Sequence, residues 1–184
     1  MAVAYQNIHK EIIELSKDGN SKAQYKLYNL YAKAMYNICI RIMNNKEEAE
    51  DMLQESFTEA FLKLETFRYE SAFGVWLKRI VINKCINSLK RKKAELVLTD
   101  NLPDRDDMNE GEDILDTLTL KVRDVQNAMD KLPQGYRVIF SLYLLEGYDH
   151  SEIAQILGVS ESTSKSQYSR AKQKIKELLI KSRS

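Results

Sequence analysis

The sequence predicts an all-α chain: two small helical domains joined by an acidic linker, the second domain containing a helix-turn-helix. Three observations predict it. Only six Gly and two Pro interrupt 184 residues, while Leu, Ile, Lys, Glu and Ala are abundant and alternating β-branched runs are scarce. Apolar residues recur at intervals of three and four over most of the chain, the period of a helix packed on one face. Charge is segregated beneath a net +1: residues 1–93 carry about +5, residues 94–124 about −7 and residues 125–184 about +3.

The first domain, residues 1–93, opens with a short leading helix. Ser21 to Met43 forms the first long one, placing Leu27, Leu30, Tyr31, Ala34, Ile38 and Ile42 on one face. Asn45 caps the next helix, and Glu48 can reach back to complete a capping box. Met52, Leu53, Phe57, Ala60, Phe61 and Leu64 repeat the helical spacing until Phe67-Arg68-Tyr69-Glu70-Ser71 ends it. A third helix runs from Ala72 to Lys93 and closes on Lys90-Arg91-Lys92-Lys93. Three packed helices and the leading one suffice for a compact domain of about 90 residues. Cys39 and Cys85 have neither metal-ligand spacing nor the density of a disulfide scaffold, so both read as core thiols in a reducing cytosol. No signal peptide and no run of about 18 apolar residues is present, which predicts a soluble, cytoplasmic protein.

Residues 94–124 form the linker. Periodicity fades there, Pro103 and Gly111 appear, and carboxylates crowd the segment. Low hydrophobicity with high like charge gives too little burial to offset ordering entropy, so the segment is expected to be mobile. Asp104, Asp106 and Asp107 fall short of a calcium loop, because Met108 and Asn109 stand where that loop needs an oxygen ligand and a turn glycine. No metal is expected.

The helical pattern returns at Val125 and opens the second domain, residues 125–184. Leu132-Pro133 sets a proline at a helix start, followed by Val138, Ile139, Leu142 and Leu145 as the buried stripe. Glu146-Gly147-Tyr148 breaks that helix. Asp149 and Glu152 form a capping box for a short helix carrying Ile153, Ala154, Ile156 and Leu157. Gly158 suits a left-handed residue after a helix, Val159 can plug the interhelical angle, and Ser160 can cap a last helix from Glu161 to Lys181. With Ala154 small where two helices would cross, this is a helix-turn-helix.

Two basic blocks suit a polyanionic partner, since each Lys or Arg set against a phosphate releases counterions. On the last helix Ser162, Thr163, Lys165, Ser166, Gln167, Ser169, Arg170 and Lys172 offer donors to phosphates and base edges. Gln167 can pair bidentately with adenine and Arg170 with guanine, Lys165 and Lys172 can serve phosphates or bases, and Lys174 suits a phosphate. A merely solvated helix would mix signs, whereas Glu161 is the only acid before Glu177. On the third helix Arg79, Asn83, Asn87 and Lys90 share a stripe opposite Leu77, Val81, Ile82, Cys85 and Leu89, with Trp76 beside the polar side. Asparagine can bond base edges, and Trp76 can either support an unstacked base or pack in the core. Enzyme chemistry lacks equipment: there is no phosphate-cradling glycine loop or nucleophile elbow, and His9 and His150 are the only histidines. His150, beside a helix cap, reads as exposed. No cofactor is expected.

In order along the chain, Glu50-Asp51-Met52-Leu53-Gln54-Glu55-Ser56-Phe57, Phe67-Arg68-Tyr69-Glu70-Ser71-Ala72-Phe73 with Trp76-Leu77 and Arg79-Ile80, Leu132-Pro133 with Arg137, and the helix-turn-helix resemble the extracytoplasmic-function sigma factors. The resemblance spans residues 20 to 180. It implies two sigma domains that bind core RNA polymerase, through its β′ and β subunits, and direct it to promoter DNA. Asp51, Gln54 and Glu55 then lie where the family faces the β′ coiled coil. Arg68, Tyr69, Glu70 and Ser71 match the loop that captures a flipped base of the −10 element, and Asn83 and Asn87 match positions that contact it. Trp76, Arg79 and Lys90 join that surface, and the last helix becomes the −35 reader. The linker resembles the segment that threads the polymerase RNA path. An anti-sigma partner, often membrane-bound in this family, is also implied. Ser164 and Tyr143 depart from common family residues, so promoter sequence does not transfer. The residues alone also admit a stand-alone helix-turn-helix regulator or a helical adaptor that binds only protein.

Overall fold

The computed structural model describes residues 9–96 and 122–182. It divides into two compact units, Met1–Lys93 and Ala94–Ser184. Among the described residues every regular element is helical. The first unit holds α1 (Lys10–Lys17), α2 (Ser21–Met43), α3 (Lys46–Leu62), a 3-10 turn at Leu64–Thr66, and α4 (Phe73–Leu96). The second holds α5 (Val122–Asp130), α6 (Gln134–Phe140) extended by a π-helical turn at Ser141–Leu145, α7 (His150–Leu157) and α8 (Glu161–Lys181).

Helix therefore enters the expected linker from both sides. Ala94, Glu95 and Leu96 are good helix formers with no breaker before Pro103, and Asp124 in the first turn of α5 suits the positive end of a helix dipole. The remainder of the linker, with Asp104, Asp106 and Asp107, lies outside the described residues.

Side-chain caps place the first-unit helices. Asn20 accepts from the Ala23 N–H at 3.1 Å to start α2, and Asn45 accepts from the Glu48 N–H at 3.0 Å to start α3. The expected capping box at Asn45 does not close, because the Glu48 carboxylate meets the Lys92 ammonium of α4 at 2.5 Å instead. The buried face of α2 is also turned from the expected one. Leu27, Ile38 and Ile42 are buried, but Leu30 is 46 % exposed and Ala34 is exposed, their places taken by Met35 and Cys39. The cause is the position of α4: Tyr31 meets Phe73 edge-on at 5.1 Å, and the buried free thiols of Cys39 and Cys85 share a hydrogen bond. This contact and burial push the Cys85 thiol far above its ordinary range, so that thiol is a poor nucleophile. Gly74 permits the approach, since a Cβ there would stand 3.0 Å from the Tyr31 ring.

In the second unit Ala128, Met129, Leu132, Phe140, Ala171, Ile175 and Leu179 form a core cluster. Val138, Ile139 and Leu142 are buried as expected, but Leu145 is 46 % exposed. The π turn explains this: its wider loop, closed by Glu146 N–H on the Ser141 carbonyl at 3.1 Å, swings Leu145 off the stripe. Arg137 is buried, and its guanidinium donates to the Leu132 carbonyl at 2.9 Å, stapling the α5–α6 corner.

The helix-turn-helix forms as its punctuation requires. Asp149 accepts from the Glu152 N–H at 2.8 Å while Glu152 accepts from the Asp149 N–H at 3.0 Å, completing that capping box. Gly158 adopts φ 73° and Ser160 accepts from the Thr163 N–H at 3.0 Å. Ala154 is buried at the crossing. Val159 does not plug the angle: it is 38 % exposed, and the fully buried Ile153 and Ser164 line the inside of the α7–α8 pair.

Candidate nucleic-acid interface

On α4 the two faces separate cleanly. Leu77, Val81, Ile82 and Cys85 are buried and Leu89 half-buried, whereas Arg79, Asn83, Asn87 and Lys90 are exposed. Asn83 and Asn87 line an open groove with Ile80, Lys84 and Arg91, closed on one side by Glu59 of α3. Lys84 is a feature the sequence reading passed over. Its ammonium stands 2.9 Å from Glu59 and 3.7 Å from Glu55, and bonding to Glu59 raises its proton affinity. No helical-period rule reveals an ion pair between helices.

Trp76 is half-buried against Phe67 and Phe73, with ring centroids 5.3 and 5.5 Å away. The ring thus packs on an aromatic cluster while keeping part of its surface open. The loop before α4 leaves Arg68 and Glu70 exposed and half-buries Tyr69 and Ser71. Tyr69 takes the left-handed φ of 60°, and its hydroxyl donates to the Glu14 carboxylate of α1. That bond, then Lys17, holds the Glu14 carboxyl below the usual range, while burial and then Glu14 push the Tyr69 phenol up. On α3, Asp51, Gln54 and Glu55 are all exposed, and Glu55 also reaches Lys84.

On α8 the expected DNA-contacting residues fall into three settings. Lys165, Ser169 and Lys174 are exposed; Lys165 pairs with Glu161 at 2.7 Å and Lys174 with Glu177 at 2.9 Å. Thr163 and Ser166 are half-buried, Thr163 Oγ1 standing 2.7 Å from Ser160 Oγ and Ser166 donating to the Thr163 carbonyl at 3.1 Å. Gln167, Arg170 and Lys172 are also half-buried. Lys172 sits over the Tyr168 ring at 5.5 Å, and Gln167 is turned toward α6, its Oε1 3.6 Å from where a Gly135 Cβ would lie. Gln173, four residues beyond Ser169, extends the exposed polar face of α8.

His150 is not the exposed residue expected beside its cap. It is half-buried, stacks on Tyr143 at 4.5 Å, and its Nδ1 stands 2.9 Å from the hydroxyl of the fully buried Ser164. Tyr168 closes the cluster, 4.4 Å from Tyr143. Among the described residues, no group of three or more His, Cys, Asp or Glu could hold a metal, and no helix is long and apolar enough to cross a membrane.

Two family models match the chain: Sigma-70 region 2 over residues 27–95 and Sigma-70 region 4 over residues 122–175. A chain pairing these two regions is a transcription-initiation factor of the sigma-70 type. Within that class it belongs to the extracytoplasmic-function sigma factors. It is 27 % identical to the ECF RNA polymerase sigma factor SigW of Bacillus subtilis over 180 residues, covering 92 % of this chain and 96 % of that one. It is 28 % identical to the ECF RNA polymerase sigma-E factor of Haemophilus influenzae, covering 94 % and 96 %. Its fold is similar to that of the sigma factor RpoE in complex with the anti-sigma factor NepR from Bartonella quintana (TM-score 0.55, 23 % identity, 85 % and 96 % covered). It is also similar to CnrH in complex with the cytosolic domain of CnrY (TM-score 0.52, 23 % identity, 92 % and 95 % covered).

Proposed function

We propose that the first unit carries two working surfaces of this sigma factor and the second unit one. Asp51, Gln54 and Glu55 dock α3 on the β′ subunit of core polymerase. Arg68, Tyr69, Glu70, Ser71, Trp76, Arg79, Asn83, Asn87 and Lys90 take the opened −10 strand, and α8 reads the −35 element from the major groove. The observation that carries this is the exposed Asn83–Asn87 pair beside the half-open Trp76, flanked by Arg79 and Lys90. Amide groups for base edges, an aromatic platform and cations for the backbone are what a single strand needs. The working division is residues 1–93 for core and −10 binding, 94–124 as acidic linker and 125–184 for −35 binding.

The factor works in the cytoplasm, has no catalytic activity of its own and is restrained by an anti-sigma protein. The complexes of its structural relatives support that last partner. Run-off transcription with purified core polymerase tests the central reading: discrete promoter-directed transcripts should appear only when the chain is added. A stand-alone regulator would instead bind promoter duplex without polymerase and leave core transcription unprogrammed.

A further inference from the structure

Helix α1 precedes residue 27, where the match to region 2 begins, and nothing so far gives it a task. It is firmly mounted: Ile13 and Ser16 are buried, and the Gln24 side chain of α2 donates to the Ser16 carbonyl at 3.1 Å. Its outer side is spent on the loop between the 3-10 turn and α4. Glu14 accepts from the Tyr69 hydroxyl, Lys17 donates to the Phe67 carbonyl at 3.3 Å, and the Lys17 and Lys10 ammoniums sit 4.9 and 5.7 Å from the Tyr69 ring centroid. The same ring leans on Phe67 at 4.7 Å, which in turn packs on Trp76.

We propose that α1 belongs to the −10 recognition apparatus, with Glu14 and Lys17 as positioning residues that hold the Arg68–Ser71 loop in its strand-capturing shape. This rests on the reading of that loop given above. Tyr69 has a left-handed backbone that a residue with a Cβ resists, so the loop needs outside contacts to keep it. The contacts from α1 supply them at the hydroxyl, at the ring face and at a backbone carbonyl two residues earlier. With Tyr69 pinned inward, Arg68 and Glu70 on either side stay exposed. A loop already fixed before the strand arrives loses less conformational freedom on binding it. The effect of α1 therefore falls on strand affinity and base preference, not on core affinity.

The test uses holoenzyme reconstituted from core polymerase and full-length chain, with fluorescent single-stranded −10 oligonucleotides varied at each base. Glu14→Ala should weaken strand binding about tenfold and flatten base preference at the captured position, as loss of one charged hydrogen bond allows. Tyr69→Phe, which keeps the ring, should behave alike, and Glu14→Gln, which keeps an acceptor, should restore most of the loss. Affinity for core and for −35 duplex should stay at wild-type values. The proposal is overturned if Glu14→Ala binds and discriminates strands like wild type, or if it loses core and strand binding in equal measure, the mark of a structural prop. Asn83→Ala and Asn87→Ala separate the two levels. If they weaken strand binding while Glu14→Ala does not, α1 is idle and the strand face stands; if none of the variants matters, the strand-face reading fails and takes this proposal with it.

Discussion

His150 and Ser164 tie the two helices of the helix-turn-helix together through a 2.9 Å contact between the imidazole Nδ1 and a hydroxyl with no exposed surface. The two deletions are not equivalent. Ser164→Ala leaves a half-buried imidazole that can turn to water, and should cost about 1 kcal/mol. His150→Ala strands the buried hydroxyl and removes the stack on Tyr143, and should cost about 2–3 kcal/mol. Urea unfolding combined with hydrogen exchange of α7 and α8 amides measures both. Equal costs would mean that stranding the hydroxyl and losing the Tyr143 stack add nothing to loss of the contact, and costs near zero for both would mean that the contact carries no stability.

The same histidine gives the fold a pH dependence. Burial, and then the Lys165 charge, hold His150 below its ordinary value of 6.5, with Glu161 and Asp149 acting in the opposite sense. The unfolded chain therefore takes up the proton first. Stability from this group is full above pH 6.5 and declines as pH falls through that value toward the folded one. Glu14 and Glu59, whose carboxyls are held low, lose their contributions only further down, below their ordinary 4.5. Unfolding of the second unit should thus show a slope between neutral and mildly acidic pH that His150→Gln abolishes; a slope unchanged in that variant would assign it elsewhere.

What the sequence made legible follows from how local each signal is. The Asp149–Glu152 box, the left-handed Gly158 and the Ser160 cap depend on neighbours three or four residues apart, and all three form. Face assignments erred where a partner element decides. Leu30 is exposed because α4 approaches the other side of α2, and Leu145 because a π turn adds to the helical period. Among the surface residues, exposure of Asp51, Asn83 and Asn87 could be read from period alone. The links Glu14–Tyr69, Glu55–Lys84 and His150–Ser164 could not, since they join residues that only tertiary packing brings together.

The acidic face of α3 is testable at core polymerase. Asp51→Ala with Gln54→Ala should weaken core binding by about 1–3 kcal/mol, the range of a central contact in an interface, while helicity by circular dichroism stays at the wild-type level. Both side chains are exposed in the free chain, so folding does not depend on them. Unchanged affinity in a direct titration would remove this face from the docking surface.

On α4, Asn83→Ala and Asn87→Ala should each lower open-complex formation and shift base preference in the −10 element, at about 1–3 kcal/mol for a good base contact. Permanganate footprints and promoter profiles read both effects, and profiles matching wild type would leave the face merely solvated. Trp76→Ala is a poorer probe. Its ring packs on Phe67 and Phe73, so a lost packing partner mimics a lost stacking platform.

The last prediction concerns α8, where two cations make different demands on the data. Arg170 lies half-buried along the helix, and its fork suits the O6 and N7 atoms of guanine, so Arg170→Ala should cost about 1–3 kcal/mol and relax preference at one −35 position. Lys174 is exposed one turn further on and pairs with Glu177 within its own helix. Such an exposed pair is worth little, so a phosphate can draw the ammonium away. Lys174→Ala should therefore weaken all sequences alike and reduce the salt slope by about one. Gln167 offers an internal comparison: its amide is turned toward Gly135, so reading adenine requires the side chain to swing outward, and Gln167→Ala should alter selectivity less than Arg170→Ala. The measurement is selection from randomised −35 libraries by holoenzyme at several salt concentrations, because a second domain of about +3 net charge has little surplus charge to set against phosphates by itself. If wild type and Arg170→Ala rank the library identically at every salt concentration, Arg170 touches no base edge and the −35 assignment of that residue is wrong.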